Sequence, residues 1–545
     1  MVQRNNLIIA QRKTLMIAQR HNLMKGRMAT PQEKLAESLE ALRKLQDRGI
    51  VAIRAAHLSR AHRERLLKNG FLQEVMKGWY IPARPDDAAR ESTAWYASFW
   101  AFCAAYLRER FGSEWCLSPE RSLSLHTGNN AVPPQLVVRT SRGGNKATAL
   151  PHGTSLLDIR AAVPEEKDVE EKDGLRLFSL PAALIASSPA FFERNPTDAR
   201  AALATIRDAS DVLDRLLEGG HSKIAGRLAG GFRNIGRDRI ADDIVNTMRA
   251  AGYDVREQDP FKSRIDLALP RREASPYAGR IRLMWRQMRG PIIERFPPPP
   301  GRPKNTGAYL KHVLEVYGTD AYHSLSIEGY RVSPALIERV RSGTWNPDAN
   351  EQDREQRNAL AARGYWLAFQ SVQKSLRRVL RGENSGTVAE EDHSAWYREM
   401  FAPSVTAGLL RRADLAGYRN APVYIRRSMH VPPNSDAVRD AMPVFFEMLS
   451  EESDPSVRVV LGHFIFVYVH PYMDGNGRIG RFLMNVMLAA GGYSWTVVPL
   501  ERRDAYMAAL EEASVRQNIA PFADFLAQLV EEGLRGKSLA KVPKG

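Results

Sequence analysis

From Val457 to Val469 the chain is apolar on nearly every face, with Val459, Val460, Leu461, Phe464, Ile465, Phe466 and Val467 spread around the helical period. A helix without a polar side belongs at the centre of a larger assembly, because a surface helix needs a face for water. Asp454-Pro455 supplies an N-cap and a first-turn proline, so the start is specified. The end is specified as well: Pro471 disfavours a helical residue before it, which predicts a stop at His470. A second helix follows, with Ile479, Phe482, Leu483, Val486 and Met487 on one side, ending at Gly491-Gly492. These two segments demand a helical core around the turn that joins them.

That turn reads His470-Pro471-Tyr472-Met473-Asp474-Gly475-Asn476-Gly477-Arg478-Ile479-Gly480-Arg481. Gly475 and Gly477 let the backbone bend sharply and approach a ligand closely. The free N–H groups that open the second helix favour an anion in the same place. Arg478 and Arg481, three residues apart, can grip phosphate oxygens. Asp474 is a hard oxygen ligand suited to Mg²⁺. His470 is then a base at the edge of a nucleotide's phosphates. No P-loop lysine is present, so the chemistry indicated is nucleotidyl or phosphoryl transfer on another scaffold.

The string resembles the signature of the Fic family, His-Pro-Phe-x-Asp/Glu-Gly-Asn-Gly-Arg-x-x-Arg, with Tyr472 in place of the usual Phe. Tyr472 is expected to pack inward, its hydroxyl seeking one partner. The resemblance covers roughly residues 306–532 and implies transfer of AMP from ATP to a hydroxyl side chain of a protein. His470 would be the base and Asp474 the Mg²⁺ ligand. Gly475, Asn476 and Gly477 would form the phosphate cradle, with Arg478 and Arg481 on the triphosphate. Kinase-like relatives carry Lys where Gly477 stands, so glycine favours nucleotidyl transfer; UTP or GTP as donor stays open. Gly417-Tyr418-Arg419, Val423-Tyr424-Ile425 and Met429-His430-Val431-Pro432-Pro433 resemble the family's flap hairpin, which docks the target by strand addition. Ser324-Leu325-Ser326-Ile327-Glu328-Gly329 resembles its inhibitory motif. There a short helix over 320–329, capped by Thr319, would set Glu328 against Arg481.

The formal charge of +16 adds a second question, since a basic balance favours a polyanion but also fits a solvated arginine-rich surface. Residues 33–85 read as a winged helix-turn-helix. Leu35, Leu39, Leu42 and Leu45 recur at helical spacing. Ser59 caps a basic helix bearing Arg60, Arg63, Arg65 and Lys68, and Phe71–Pro82 reads as a hairpin. The pattern of basic helix, Gly70-Phe71-Leu72 and Gly78-Trp79-Tyr80 resembles the N-terminal domain of AbiEi-like antitoxin and regulator proteins. It implies duplex DNA as a partner of those four basic residues.

The expected fold class is mainly α and multidomain: an N-terminal winged helix-turn-helix, an α/β middle domain and a C-terminal all-α Fic bundle with a β-hairpin flap. The expected divisions are a basic disordered tail at 1–32 (with Met28 as an alternative initiator), the winged helix at 33–85 and an antitoxin-like α/β domain at 86–290. A proline-rich linker at 291–305, the Fic domain at 306–536 and a tail at 537–545 complete them. In the middle domain, helices are expected over Ser92–Phe111 and Thr197–Gly219, and strands over Gln135–Thr140 and Leu175–Ser179. Gly226, Gly230, Gly231 and Gly236 are read as loop residues, and His126 and His152 as structural. Two cysteines give no disulfide framework or metal spacing, and no apolar run reaches about 18 residues. The protein is therefore expected in a reducing cytoplasm, off the membrane, with a homo-oligomer left open. The function expected is a self-inhibited protein adenylyltransferase using ATP and Mg²⁺. The alternative is a DNA-binding, antitoxin-like transcriptional regulator whose Fic part is a sensor or uses another nucleotide.

Overall fold

The computed structural model describes residues 30–85, 92–262, 275–345, 356–537 and 540–542. The expected tails fall largely outside them. The chain divides into two compact units, residues 1–112 with 149–153, and residues 113–148 with 154–545.

In the first unit, helix α1 (Pro31–Asp47) opens with a capping box between Thr30 and Glu33. Strand β1 (Ile53–Arg54), helix α2 (Arg60–Lys68) and strands β2 (Leu72–Met76) and β3 (Trp79–Pro82) follow, and the antiparallel sheet has the order β1-β3-β2. Leu42, Leu45, Ile53, Leu58, Leu66, Leu72 and Tyr80 form its core. Helix α3 (Thr93–Phe111) buries Trp95, Phe99 and Phe102. Trp79 meets Phe102 and Tyr106 edge-on, which ties the hairpin to that helix.

The second unit begins with helix α4 (Pro119–His126) and a sheet in which β5 (Gln135–Thr140) pairs antiparallel with β4 (Cys116–Leu117) and parallel with β6 (Ser155–Arg160). A separate ribbon joins β7 (Val169–Lys172) and β8 (Leu175–Phe178). The span 197–219, read as one helix, is two: α5 (Pro196–Thr205) and α6 (Ser210–Glu218). Gly226, Gly230 and Gly231 are not in a loop but inside helix α7 (Ser222–Asn234). Their smallness serves packing, because a Cβ on Gly226 or Gly230 would run into the carbonyl oxygens of Arg256 or Gln258.

Helix α8 (Pro276–Ile293) corrects the expected linker. Ile281, Met284, Trp285, Met288 and Ile292 share one hydrophobic core with the whole C-terminal bundle, and the Pro297 carbonyl accepts the Tyr493 hydroxyl at 2.6 Å. The proline run therefore lies within the bundle's sequence span and packs on it. The bundle comprises α9 (Thr306–Ile327), α10 (Gln356–Arg381), α11 (Ser385–Thr406), α12 (Ser435–Glu451), α13 (Pro455–Val469), α14 (Asn476–Gly491), α15 (Arg503–Arg516) and α16 (Ala520–Leu534). α13 is central: Val459, Val460, Leu461, Phe464, Ile465 and Phe466 are all fully buried.

A buried ion pair joins this bundle to the α/β region. Arg280 on α8 donates to Asp198 at 2.6 Å and to the Tyr468 hydroxyl on α13 at 3.0 Å. Asp198 also accepts from Ser124 and Asn129, at 2.7 and 2.9 Å. Arg280 and Asp198 are 1% and 2% exposed, a depth at which each charge depends on the other.

Candidate active site

α13 ends as its sequence requires. His470 is its C-cap, with φ 53° and ψ 60°. The left-handed region costs a non-glycine residue roughly 1–2 kcal/mol, so the neighbourhood must enforce it. Arg419 does so. Its Nε donates to His470 O at 2.8 Å, Nη2 reaches Val469 O at 3.4 Å and also Pro433 O, and Nη1 donates to Ala421 O at 3.2 Å. The Arg419 backbone N–H donates to Pro471 O at 2.9 Å. This guanidinium therefore closes carbonyls that the helix leaves orphaned at its end. Burial without a carboxylate lowers its pKa to about 10.

The His470 ring follows from the same turn. Val467 O lies 3.0 Å from Nδ1 and a carbonyl can only accept, so Nδ1 carries the proton and Nε2 keeps its lone pair. Burial holds the His470 pKa below its ordinary value, although the Val467 contact and the carboxylates of Glu328 and Asp474 pull the other way. A neutral imidazole with a free Nε2 is a competent base. Two other histidines here are structural. His430 donates to Tyr468 O at 2.8 Å, His463 meets the Tyr506 hydroxyl at 2.6 Å, and burial lowers their pKa values to about 3 and about 4.

The loop beyond turns on glycine and opens helix α14. Gly475 caps α14 with φ 82°, and a Cβ there would meet the Phe401 ring at 2.8 Å. The Asn476 carboxamide is fully used inside the loop, accepting from Tyr472 N–H at 2.9 Å and donating to Tyr472 O at 2.8 Å. Its part in any phosphate cradle is thus its backbone. Asp474 is exposed, and its Oδ1 accepts from Gly475 N–H at 2.6 Å. An open carboxylate at a phosphate turn fits Mg²⁺, which keeps several waters and takes one or two protein carboxylates.

The two arginines differ. Arg478 is 1% exposed and lies between the rings of Tyr330 and Phe401, 5.1 and 5.2 Å from their centroids. Its Nε and Nη2 donate no hydrogen bond among the described residues, and Asp474 Oδ1 stands 3.4 Å from Nη2. Arg481 is equally buried but satisfied. Nε donates to Ser324 Oγ at 2.9 Å, and Nη2 donates to Ser324 O at 3.0 Å and to Glu328 Oε1 at 2.7 Å. Burial opposes ionisation of Glu328, yet Arg481, Arg478 and the hydrogen bond outweigh it and hold the carboxyl below the usual range. A Cβ at Gly477 would strike Glu328 Oε1, so a larger residue there would force this carboxylate to shift.

The string Ser324–Gly329, which resembles an inhibitory motif, sits at the end of a long helix rather than a short one. Thr319 is interior to α9, whose N-cap is Asn305; Glu328 is its C-cap, and Gly329 follows at φ 87°. The flap is also different from expectation. Residues 417–433 contain no strand, and Val423, Tyr424 and Ile425 run without a ladder partner. Arg419 takes the carbonyls of Ala421 and Pro433, while Glu511 accepts from Met429 N–H and Ser428 Oγ. Side chains thus replace the cross-strand bonds a hairpin would make. Tyr472 packs inward, stacked on Tyr397 at 3.9 Å, but its hydroxyl finds no partner among the described residues.

The basic helix of the first unit is differently arranged. Arg60 pairs with Glu64 at 2.7 Å, Arg63 donates to Ala55 O at 2.9 Å, and Arg65 donates to Lys34 O and Ser38 Oγ, both at 2.8 Å. Lys68 is exposed. His126 meets Phe178 O at 2.7 Å, and no cluster of three or more His, Cys, Asp or Glu placed to hold a metal occurs among the described residues.

Residues 388–488 match the Fic/DOC family, and this stretch is a Fic domain. Protein adenylyltransferase Fic of Drosophila grimshawi is 29% identical over 224 residues, 40% of this chain and 42% of that protein. Its namesake in Drosophila melanogaster is 26% identical over 235 residues, 42% and 44% of the two lengths. The chain thus spans less than half the length of the curated relatives it matches. Among solved structures, Fic-1 from C. elegans aligns with a TM-score of 0.36 at 19% identity, over 62% of this chain and 96% of that one. A Fic domain containing signaling protein from Bacteroides thetaiotaomicron gives 0.33 at 16%, over 48% and 100%.

Among the residues that shape this site, Arg419, Phe401 and Tyr330 carry no motif spacing. Arg419 was visible only as part of the flap-like string, with nothing to indicate that it would hold His470. Among the described residues no helix is long and apolar enough to cross a membrane.

Proposed function

We propose that this chain transfers AMP from ATP to a hydroxyl side chain of a target protein, or of itself, and that Glu328 holds the activity down. The observation that carries the reading is Arg478: a desolvated guanidinium with open donors, set in the first turn of α14 behind a histidine whose Nε2 is free. A buried cation with unmet donors at a helix N-terminus is matched by a phosphate. His470 Nε2 takes the proton of the incoming hydroxyl, whose oxygen bonds to the α-phosphorus as the bond to the β-phosphate oxygen breaks and pyrophosphate leaves. Arg478 and the backbone N–H groups of Asn476 and Gly477 hold the phosphates, the Gly475 N–H being taken by Asp474. Asp474 would hold Mg²⁺, which when bound neutralises charge on the phosphate oxygens. Glu328 occupies Arg481, the donor a terminal phosphate would otherwise engage. Val423, Tyr424 and Ile425, extended and unpaired, would receive the target by strand addition.

Labelled ATP with Mg²⁺ tests this directly. The His470→Ala variant should lose about 10²–10⁴-fold in transfer while keeping nucleotide binding, which rests on the arginine and the backbone. Undiminished labelling by that variant would sink the mechanism.

A second reading concerns the first unit and is compatible with the first. A Ser59-capped helix beside the hairpin β2–β3 supports a winged helix that binds duplex DNA, with Arg60 and Lys68 as its exposed cations. Each neutralised phosphate should then add about −0.9 to the slope of log affinity against log salt. A flat salt response would remove the reading.

A further inference from the structure

The α/β region of the second unit holds a cavity of about 320 Å³ that the proposed transferase does not use. It opens between the start of α4, strand β5 and the short helix Pro189–Arg194. Its polar wall comprises Ser118, Arg121, Ser124, Gln135, Ser188 and Arg194, and Val137 and Phe191 give it an apolar side. The volume is at the small end of ligand sites, which typically hold 300–1,000 Å³.

The charge on this wall is not balanced from within. Arg121 forms no ion pair among the described residues; its guanidinium has a single long hydrogen bond, 3.4 Å to Ala131 O. Burial disfavours its charged form, and Asp198 compensates only in part. That carboxylate is already shared by Arg280, Ser124 and Asn129. Glu120, the acidic residue on the rim, accepts the backbone N–H of Ser188 at 3.2 Å. Arg194 stands exposed at the opposite lip. Two guanidinium groups and three hydroxyls therefore line one concavity against a single carboxylate, Glu120, whose Oε1 takes the Ser188 N–H of the same wall.

We infer that this cavity binds a small metabolite bearing an oxyanion, a carboxylate or phosphate on a short apolar skeleton, with Arg121 and Arg194 gripping the anionic end. The hydroxyls of Ser118 and Ser188 orient it, and Phe191 with Val137 takes the carbon skeleton. The argument is independent of the transferase reading, since every residue that lines the cavity lies between 118 and 195.

Isothermal titration of the full chain with inorganic phosphate, and separately with malonate, tests the site. The Arg478→Gln background silences the nucleotide turn, so the remaining binding reports the cavity. One site of about millimolar affinity or tighter is expected in that background. Adding Arg194→Gln should weaken it about tenfold, and Arg121→Gln by about tenfold to a hundredfold, as for lost charge-assisted hydrogen bonds. Arg194 is exposed, so its replacement leaves the fold intact. Binding of malonate alone would mark a carboxylate site, of phosphate alone a phosphate site, and of both an oxyanion site without that selectivity. No binding of either anion, or binding by the Arg194→Gln or Arg121→Gln variant as tight as in the Arg478→Gln background, would overturn the inference.

Discussion

Arginines at two places in this chain are used in opposite ways. On α2 of the first unit, Arg63 and Arg65 give their donors to Ala55 O, Lys34 O and Ser38 Oγ, so they hold α1 and the turn after β1 in place. In the first turn of α14, Arg478 is more deeply buried yet leaves Nε and Nη2 without hydrogen bonds. Charge counting treats the two alike. Satisfaction of donors separates these residues: the fold closes Arg63 and Arg65, whereas Arg478 keeps buried donors that a ligand could take.

The comparison breaks first at Arg478. Replacing it by Gln should cut labelling about 10²–10³-fold, the scale of a lost transition-state donor. Thermal stability should hold or rise, because an incompletely paired buried charge is removed. A variant that unfolds while keeping its labelling rate per folded molecule would make Arg478 a structural arginine like Arg63.

Glu328→Gly sharpens the contrast from the other side. It frees Arg481, turning a closed arginine into an open one. Charge-assisted hydrogen bonds contribute about 1.5–3 kcal/mol, so labelling, including self-labelling, should rise roughly tenfold to a hundredfold. The double variant with His470→Ala should be inactive. Equal labelling by wild type and Glu328→Gly at saturating ATP would reduce the contact to an ornament of the fold.

The smallest effect is expected at Arg65. Losing its bonds to Lys34 O and Ser38 Oγ should cost about 0.5–1.5 kcal/mol, read as roughly twofold to tenfold faster amide exchange in α1. Labelling should be unchanged. Loss of DNA binding without any change in exchange would instead place Arg65 in an interface.

The bundle was legible because its constraints are local. An all-round apolar segment, a capping Asp454 and a stopping Pro471 fix α13 without reference to anything distant. The turn was legible because glycines, a histidine and two arginines are consecutive. What stayed hidden depends on residues far apart in sequence. Arg419 meets His470 across 51 residues, Phe401 packs on Gly475, and Arg280 meets Asp198 across 82. The glycines of α7 misled for a related reason: only the chain passing at 256–258 explains why that helix needs them. The flap misled because one arginine took over bonds that sequence pattern assigns to a strand partner.

The pair of Asp198 and Arg280 limits how this chain can be divided, by experiment or by descent. A fragment beginning after the proline run would lose α8, and with it Trp285, which fills the bundle and donates to Glu452 at 3.0 Å. A fragment beginning at 275 would keep the bundle but carry Arg280 into its interior without Asp198, the kind of severed pair that costs about 3–5 kcal/mol. The α/β region and the bundle are therefore heritable as one piece. An exchange of either for a foreign part must bring its own answer to a buried charge.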